Sequence, residues 1–208
     1  MRNLHLDILP LPQRRLWTEL GQLPGDFTLY GGTAIALRLG HRQSVDFDFF
    51  SPHPFDPDVL FHSAGFLRES LIIAKAANTL TCRVDREGPV LVSFFGLPKL
   101  PRLEAPLATE NGITLASLPD LAGTKAAVIQ KRSEAKDYID LDALVHQAGI
   151  SLPQALGAAK KLYGASFNPE ITLKALCYYG DGNLGTVPPS VRTRLMQATR
   201  EVNLDMLP

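Results

Sequence analysis

Residues 28 to 50, TLYGGTAIALRLGHRQSVDFDFF, constrain the fold of this chain more than any other stretch. The run DFTLY alternates and is rich in strand formers, and the pair Gly31 and Gly32 breaks it. TAIALRLG then has helix-forming composition, with Gly40 placed as a C-terminal stop, and SVDFDFF reads as a second strand. Strand, glycine turn, short helix and strand follow one another with almost no linking residues, so this part of the chain is a compact α/β unit.

Two carboxylates lie on the second strand. Side chains at i and i+2 share a face about 6.6 Å apart along the strand, so Asp46 and Asp48 project together, with Val45, Phe47 and Phe49 expected on the opposite face toward a core. Like charges so placed raise one another's pKa unless a cation sits between them, and a divalent metal with oxygen ligands is the usual solution. Taken alone, the D-x-D pattern also fits an acidic solvated strand face. The glycine pair adds weight to the metal reading. A strand that turns through YGGT into a helix leaves backbone N–H groups at a helix N-terminus, where the dipole favours phosphate, and the Thr33 hydroxyl can add a donor.

The remaining chain reads as follows. A helix is expected over roughly residues 10–21, with Trp17 in a core. Residues 52–68 form a proline-rich turn and short helix, and residues 70–97 two or three strands with DREG as a hairpin turn. Near residue 117 the texture becomes helical. Ser117 with Asp120 caps one helix, a second ends at Gly149, and a third opens at Ser151 and Pro153 and closes at Gly164. The boundary therefore falls near 116, with a mixed α/β lobe before it and a helical lobe after it.

Composition excludes several classes. The 21 basic and 21 acidic residues balance, so no global field draws the chain to nucleic acid or membrane, and any polyanion site must be local. Cys82 and Cys177 are too few and too far apart for a disulfide framework or a zinc site, and are expected to be buried thiols in a reducing compartment. His5, His53, His62 and His146 lack metal-ligand spacing. No segment approaches the roughly 18 apolar residues of a membrane span, and the opening MRNLHLDILPLPQRRLW has no signal-like apolar stretch, so a cytoplasmic location with no membrane partner is expected. No G-x-S-x-G or P-loop signature is present.

The Gly-Gly turn, short helix and Asp-x-Asp strand resemble the DNA polymerase beta-type nucleotidyltransferase superfamily. LYGGTAIALRLGHRQSVDFDFF followed by LPDLAGTKAAVIQKRSEAKDYIDLDAL is similar to the AbiEii/AbiGii-type nucleotidyltransferases of bacterial abortive-infection and toxin–antitoxin systems, over roughly residues 28–145. The resemblance implies an α+β fold, a nucleotidyltransferase-type mixed sheet with flanking helices in residues 1–116, followed by a helical C-terminal domain in residues 117–208. It implies a magnesium-dependent (or manganese-dependent) enzyme that moves an NMP from an NTP to an acceptor hydroxyl on a tRNA end, a protein or a small molecule, as the toxin partner of a cognate antitoxin.

Carried over residue by residue, Gly31, Gly32 and Thr33 would cradle the phosphates and Asp46 and Asp48 would ligate the metal. Lys125 would reach the triphosphate, Asp137 and Asp140 would close the site or orient that lysine, and Arg132 would assist. His41 and Arg42, in the loop before the D-x-D strand, are either solvated or close enough to touch a base or phosphate. One departure stands out. The superfamily commonly places a third carboxylate on a later strand of the sheet, where PVLVSFFG offers Ser93, and Asp85 compensates only if the fold brings it near. A second reading follows from Ser93: a nucleotide-binding or regulatory module of the same fold with weakened catalysis.

Overall fold

The computed structural model describes residues 4–24 and 26–208; residues 1–3 and Gly25, which the expected first domain includes, lie outside them. The chain divides into two compact units. One takes the residues up to Pro101 together with Ala105–Ala116, the other Arg102–Glu104 with Ser117–Pro208.

The first unit carries strands β1 (Thr28–Tyr30), β2 (Asp46–Ser51), β3 (Leu71–Ala76), β4 (Thr79–Asp85), β5 (Pro89–Gly96), β6 (Leu107–Ala108) and β7 (Thr114–Leu115), and helices α1 (Leu11–Trp17), α2 (Gly31–Leu39) and α3 (Pro57–Ser63). The strands form one mixed sheet in the order β3-β4-β5-β2-β1-β7-β6. β2 runs antiparallel to β1 and parallel to β5. Its alternation is the one the sequence predicts: Phe47 and Phe49 are fully buried, while Asp46, Asp48 and Phe50 on the other face are half-buried. Phe49 stacks on Phe94 of β5 at 5.5 Å, and Trp17 lies over Phe47 at 6.2 Å. The glycine stop also behaves as expected. Gly40 closes α2 in the left-handed region, φ 66°, where a side chain would be strained.

Several expectations need correcting. Val45 is 51% exposed rather than core-facing, because β2 begins at Asp46 and the pleat does not extend back to it. The first helix ends at Trp17, and a 3-10 turn over Leu20–Gln22 follows in place of a continuous helix. β6 and β7 are only two residues each, too short for an alternation to be read. β7 nonetheless lies parallel to β1, with Thr28 opposite Thr114 and Leu29 opposite Leu115. Cys82 is buried as expected, but Cys177 is exposed, just beyond the end of a helix.

The second unit holds α4 (Leu118–Val128), α5 (Ala135–His146), α6 (Leu152–Tyr163), α7 (Pro169–Ala175) and α8 (Pro189–Arg200). Ser117 caps α4, its hydroxyl accepting from the Asp120 N–H and contacting the Asp120 carboxylate. That carboxylate also accepts from the backbone N–H groups of Leu103 (3.1 Å) and Glu104 (3.3 Å), which ties residues 102–104 to the helical unit. Ser151 and Gln154 form a reciprocal capping box on α6. Among the described residues, no helix is long and apolar enough to cross a membrane.

α4 and α6 approach closely at Gly123, where a Cβ would meet the Ala158 carbonyl carbon and the Ala159 nitrogen, each at 2.9 Å. Gly123→Ala would gain about 1 kcal/mol of helix propensity. Backbone atoms cannot rotate aside, however, and overpacking costs about 1–3 kcal/mol. We expect Gly123→Ala to lower the urea midpoint followed by far-UV circular dichroism; an unchanged or raised midpoint would show that the two helices separate freely.

Candidate active site

In the first unit, strand register builds the site. Tyr30, the last residue of β1, pairs with Asp48. The chain enters α2 directly, with Gly31 and Gly32 as its first residues and Tyr30 as the N-cap. Gly31 adopts φ 70°, and a Cβ there would lie 2.8 Å from Asp48 Oδ2. The glycine thus serves twice: it takes a left-handed backbone that costs an L-residue roughly 1–2 kcal/mol, and it lets the Asp48 carboxylate rest against the start of the helix. An acid and a helix N-terminus share one spot.

Thr33 differs from the expected phosphate donor. It is buried, and its hydroxyl donates to the backbone carbonyl of Asp46 and lies 2.8 Å from the Ser44 hydroxyl. Gln13 of α1 donates to the Val45 carbonyl at 2.8 Å. Neither Gln13 nor Ser44 stands out in the sequence reading. A signal for Gln13 exists: it is a polar residue three and four positions before Leu16 and Trp17, on the buried stripe of α1. His41 and Arg42 are half-buried in the loop between α2 and β2, where Arg42 donates to the Gln43 carbonyl at 2.8 Å.

On β5, the residue paired with Asp48 is Ser93, and Thr81 of β4 pairs with Ser93 in turn, their hydroxyls 3.3 Å apart. The position beside Asp48 is therefore held by a hydroxyl. Asp85 pairs with Pro89 at the other end of β4; it shares the face of Thr81 but lies four residues further, about 13 Å along the strand. The fold does not bring Asp85 beside Asp48, so it does not supply the third acid there.

In the second unit, four charged residues assemble. Lys125 of α4 is 5% exposed, and its Nζ lies 2.7 Å from Asp137 Oδ1 and 2.7 Å from Asp140 Oδ2, both carboxylates being fully buried on α5. Arg132 holds Asp137 with a fork, Nε to Oδ2 at 2.7 Å and Nη2 to Oδ1 at 3.0 Å. The spacing of three puts Asp137 and Asp140 on one helix face, and Lys125 is bonded to both. Burial by itself would raise the Asp137 carboxyl; the Arg132 hydrogen bond and the Lys125 charge outweigh it and hold the group below the usual carboxylate value.

A depressed carboxylate stabilises the fold above its unfolded pKa of about 3.9 and loses that contribution as pH falls through the folded value. Asp137 should therefore leave stability unchanged from pH 8 to 5 and weaken it only in more acidic solution. Removing one partner of a buried pair leaves an uncompensated charge and costs about 3–5 kcal/mol. Lys125→Met is expected to destabilise the protein by that amount at pH 7 in urea denaturation; a loss under about 1 kcal/mol would mean water reaches the carboxylates.

Comparison with known proteins decides the family. The model of the family "Nucleotidyl transferase AbiEii toxin, Type IV TA system" matches residues 15–206. The chain belongs to this family. It is a nucleotidyltransferase, and the AbiEii family implies a nucleotide substrate and an antitoxin partner. A relative in Aquifex aeolicus, the uncharacterized protein aq_aa25, is 35% identical over 159 residues, 75% of each chain. Two solved structures share the fold. MenT4, the nucleotidyltransferase toxin Rv2826c of Mycobacterium tuberculosis, superposes with a TM-score of 0.57 at 16% identity, covering 92% of this chain and 84% of its own. JHP933 of Helicobacter pylori gives 0.55 at 18% identity, covering 90% and 93%.

Proposed function

We propose that this AbiEii protein transfers an NMP from an NTP to an acceptor hydroxyl, with Asp46 and Asp48 as ligands of a magnesium (or manganese) ion and the N-terminus of α2 as the phosphate cradle. One observation carries the reading: Gly31, first residue of α2, lies against the Asp48 carboxylate. A metal bound by one or two carboxylates needs phosphate oxygens to complete its shell, and a helix N-terminus is where phosphate settles.

The residues fit such an ion. Among the described residues, no group of three or more His, Cys, Asp and Glu forms a closed metal cage, and a magnesium site of two carboxylates completed by water and substrate oxygens requires none. When bound, the metal neutralises the triphosphate and lowers the barrier to displacement at phosphorus. Gly31 and Gly32 admit the phosphates close to the backbone. Asp48, with Ser93 and no acid beside it, or a substrate phosphate takes the proton of the acceptor hydroxyl. In the helical unit, Asp137 and Asp140 fix the Lys125 ammonium, and Lys125 and Arg132 are that unit's candidate anion-binding groups, lysine as a point charge and arginine as a fork. The family supports a toxin role with a cognate antitoxin. The acceptor is a tRNA end, a protein or a small molecule; balanced net charge argues against a broad nucleic-acid footprint.

Incubation with each of four radiolabelled NTPs, magnesium, and total RNA or lysate reads activity, nucleotide choice and acceptor class together. Asp46→Asn and Asp48→Asn should each reduce label transfer by about 10²-fold or more. Full transfer by both variants would overturn the assignment. Nucleotide binding with no transfer to any fraction would favour the weakened binding module that Ser93 suggests. Gly31→Ala should reduce transfer comparably while its thermal midpoint falls by only a few degrees, since about 1–2 kcal/mol of strain is involved.

A further inference from the structure

We infer that Thr33 is a positioning residue for Asp46 and not a phosphate ligand, so that the phosphate cradle and the metal carboxylates act as one mechanical unit; this rests on the nucleotidyltransfer reading above. The β1 ladder along β2 ends at the Tyr30–Asp48 pair. Beyond it, where β1 has already turned into α2, side chains take over: Thr33 Oγ1 bonds the Asp46 carbonyl and Gln13 Nε2 bonds the Val45 carbonyl. Thr33 carries a single hydroxyl proton, and it already faces two acceptors, the Asp46 carbonyl and the Ser44 hydroxyl 2.8 Å away. Thr33 is 2% exposed and Ser44 7%. The Thr33 hydroxyl therefore has no proton left for a phosphate, and only its backbone remains available to the cradle.

The arrangement couples two binding events. α2 presents its first turn toward phosphate through Gly31 and Gly32, and its third residue grips the backbone of Asp46. Gly31 at the same time leaves room for the Asp48 carboxylate at the start of α2, since a Cβ there would lie 2.8 Å from Oδ2. Phosphate that settles the first turn of α2 therefore also settles the backbone that carries Asp46. Supporting groups of this kind commonly change metal affinity by 10–100-fold without touching the ion.

The test measures manganese binding by electron paramagnetic resonance in the presence of a non-hydrolysable NTP analogue, and separately the affinity of that analogue with metal removed by EDTA. Thr33→Val is nearly isosteric and lacks the hydroxyl. It should weaken manganese binding about tenfold or more while metal-free analogue affinity stays within about twofold, and Thr33→Ser should restore manganese binding. Ser44→Ala, which leaves α2 intact, should weaken manganese binding in the same direction, and it serves as the deciding variant if Thr33→Val does not fold. Unchanged manganese binding in the folded variants overturns the inference, as does a loss confined to metal-free analogue affinity. Asp46→Asn is the separate control: if it binds manganese as the wild type does, the metal assignment itself fails, whatever the Thr33 variants show.

Discussion

The pairing of Tyr30 with Asp48 is the constraint on which the α/β unit depends. Because β1 is only three residues long and runs antiparallel to β2, its last residue determines which residue of β2 the chain meets as it turns into α2. With Asp48 opposite Tyr30, Gly31 falls against the carboxylate. A slip of one residue would put Phe47 or Phe49 there and turn both aspartates into the core. Fully buried Phe47 and Phe49, clamped by Trp17 and Phe94, oppose that slip with the burial of two aromatic side chains. The hydrophobic face of β2 thus determines where the acidic face meets the helix.

The helical unit solves a different electrostatic problem. Two fully buried carboxylates three residues apart on α5 are costly unless cations reach them. Lys125 from α4 contacts both, and Arg132 forks onto Asp137. These two cations compensate the buried carboxylates, which makes their burial tolerable.

Much of this architecture was legible in the chain. The strand–glycine–helix–strand order of residues 28–50 follows from alternation, glycine placement and helix composition, and the caps at Ser117 and Ser151 follow from local hydrogen-bonding chemistry that needs no distant partner. The features that escaped reading are those in which too few residues carry the signal. β6 and β7 have two residues each, and although they pair with one another, β7 joins the sheet through β1, far back in the chain. The exposure of Val45 depended on where the pleat starts. Gln13 and Ser44 act on the backbone of residues 45 and 46 through a single hydrogen bond or a short relay, which leaves no periodic pattern.

What the sequence determined by itself was the chemistry available and its local spacing: a glycine pair at a strand end, aspartates two apart on one face, a lysine and two further aspartates three apart on helices. These follow from the fixed periods of strand and helix. Tertiary structure alone decided which of those groups touch and where their protons go. It set Ser93, with no acid, beside Asp48, left Asp85 at the far end of its strand, and turned the Thr33 hydroxyl inward onto the Asp46 carbonyl. The reason is physical: register and the burial of polar groups are settled by contacts between segments distant in the chain, and a buried hydroxyl must give its proton to whichever acceptor the packing places next to it.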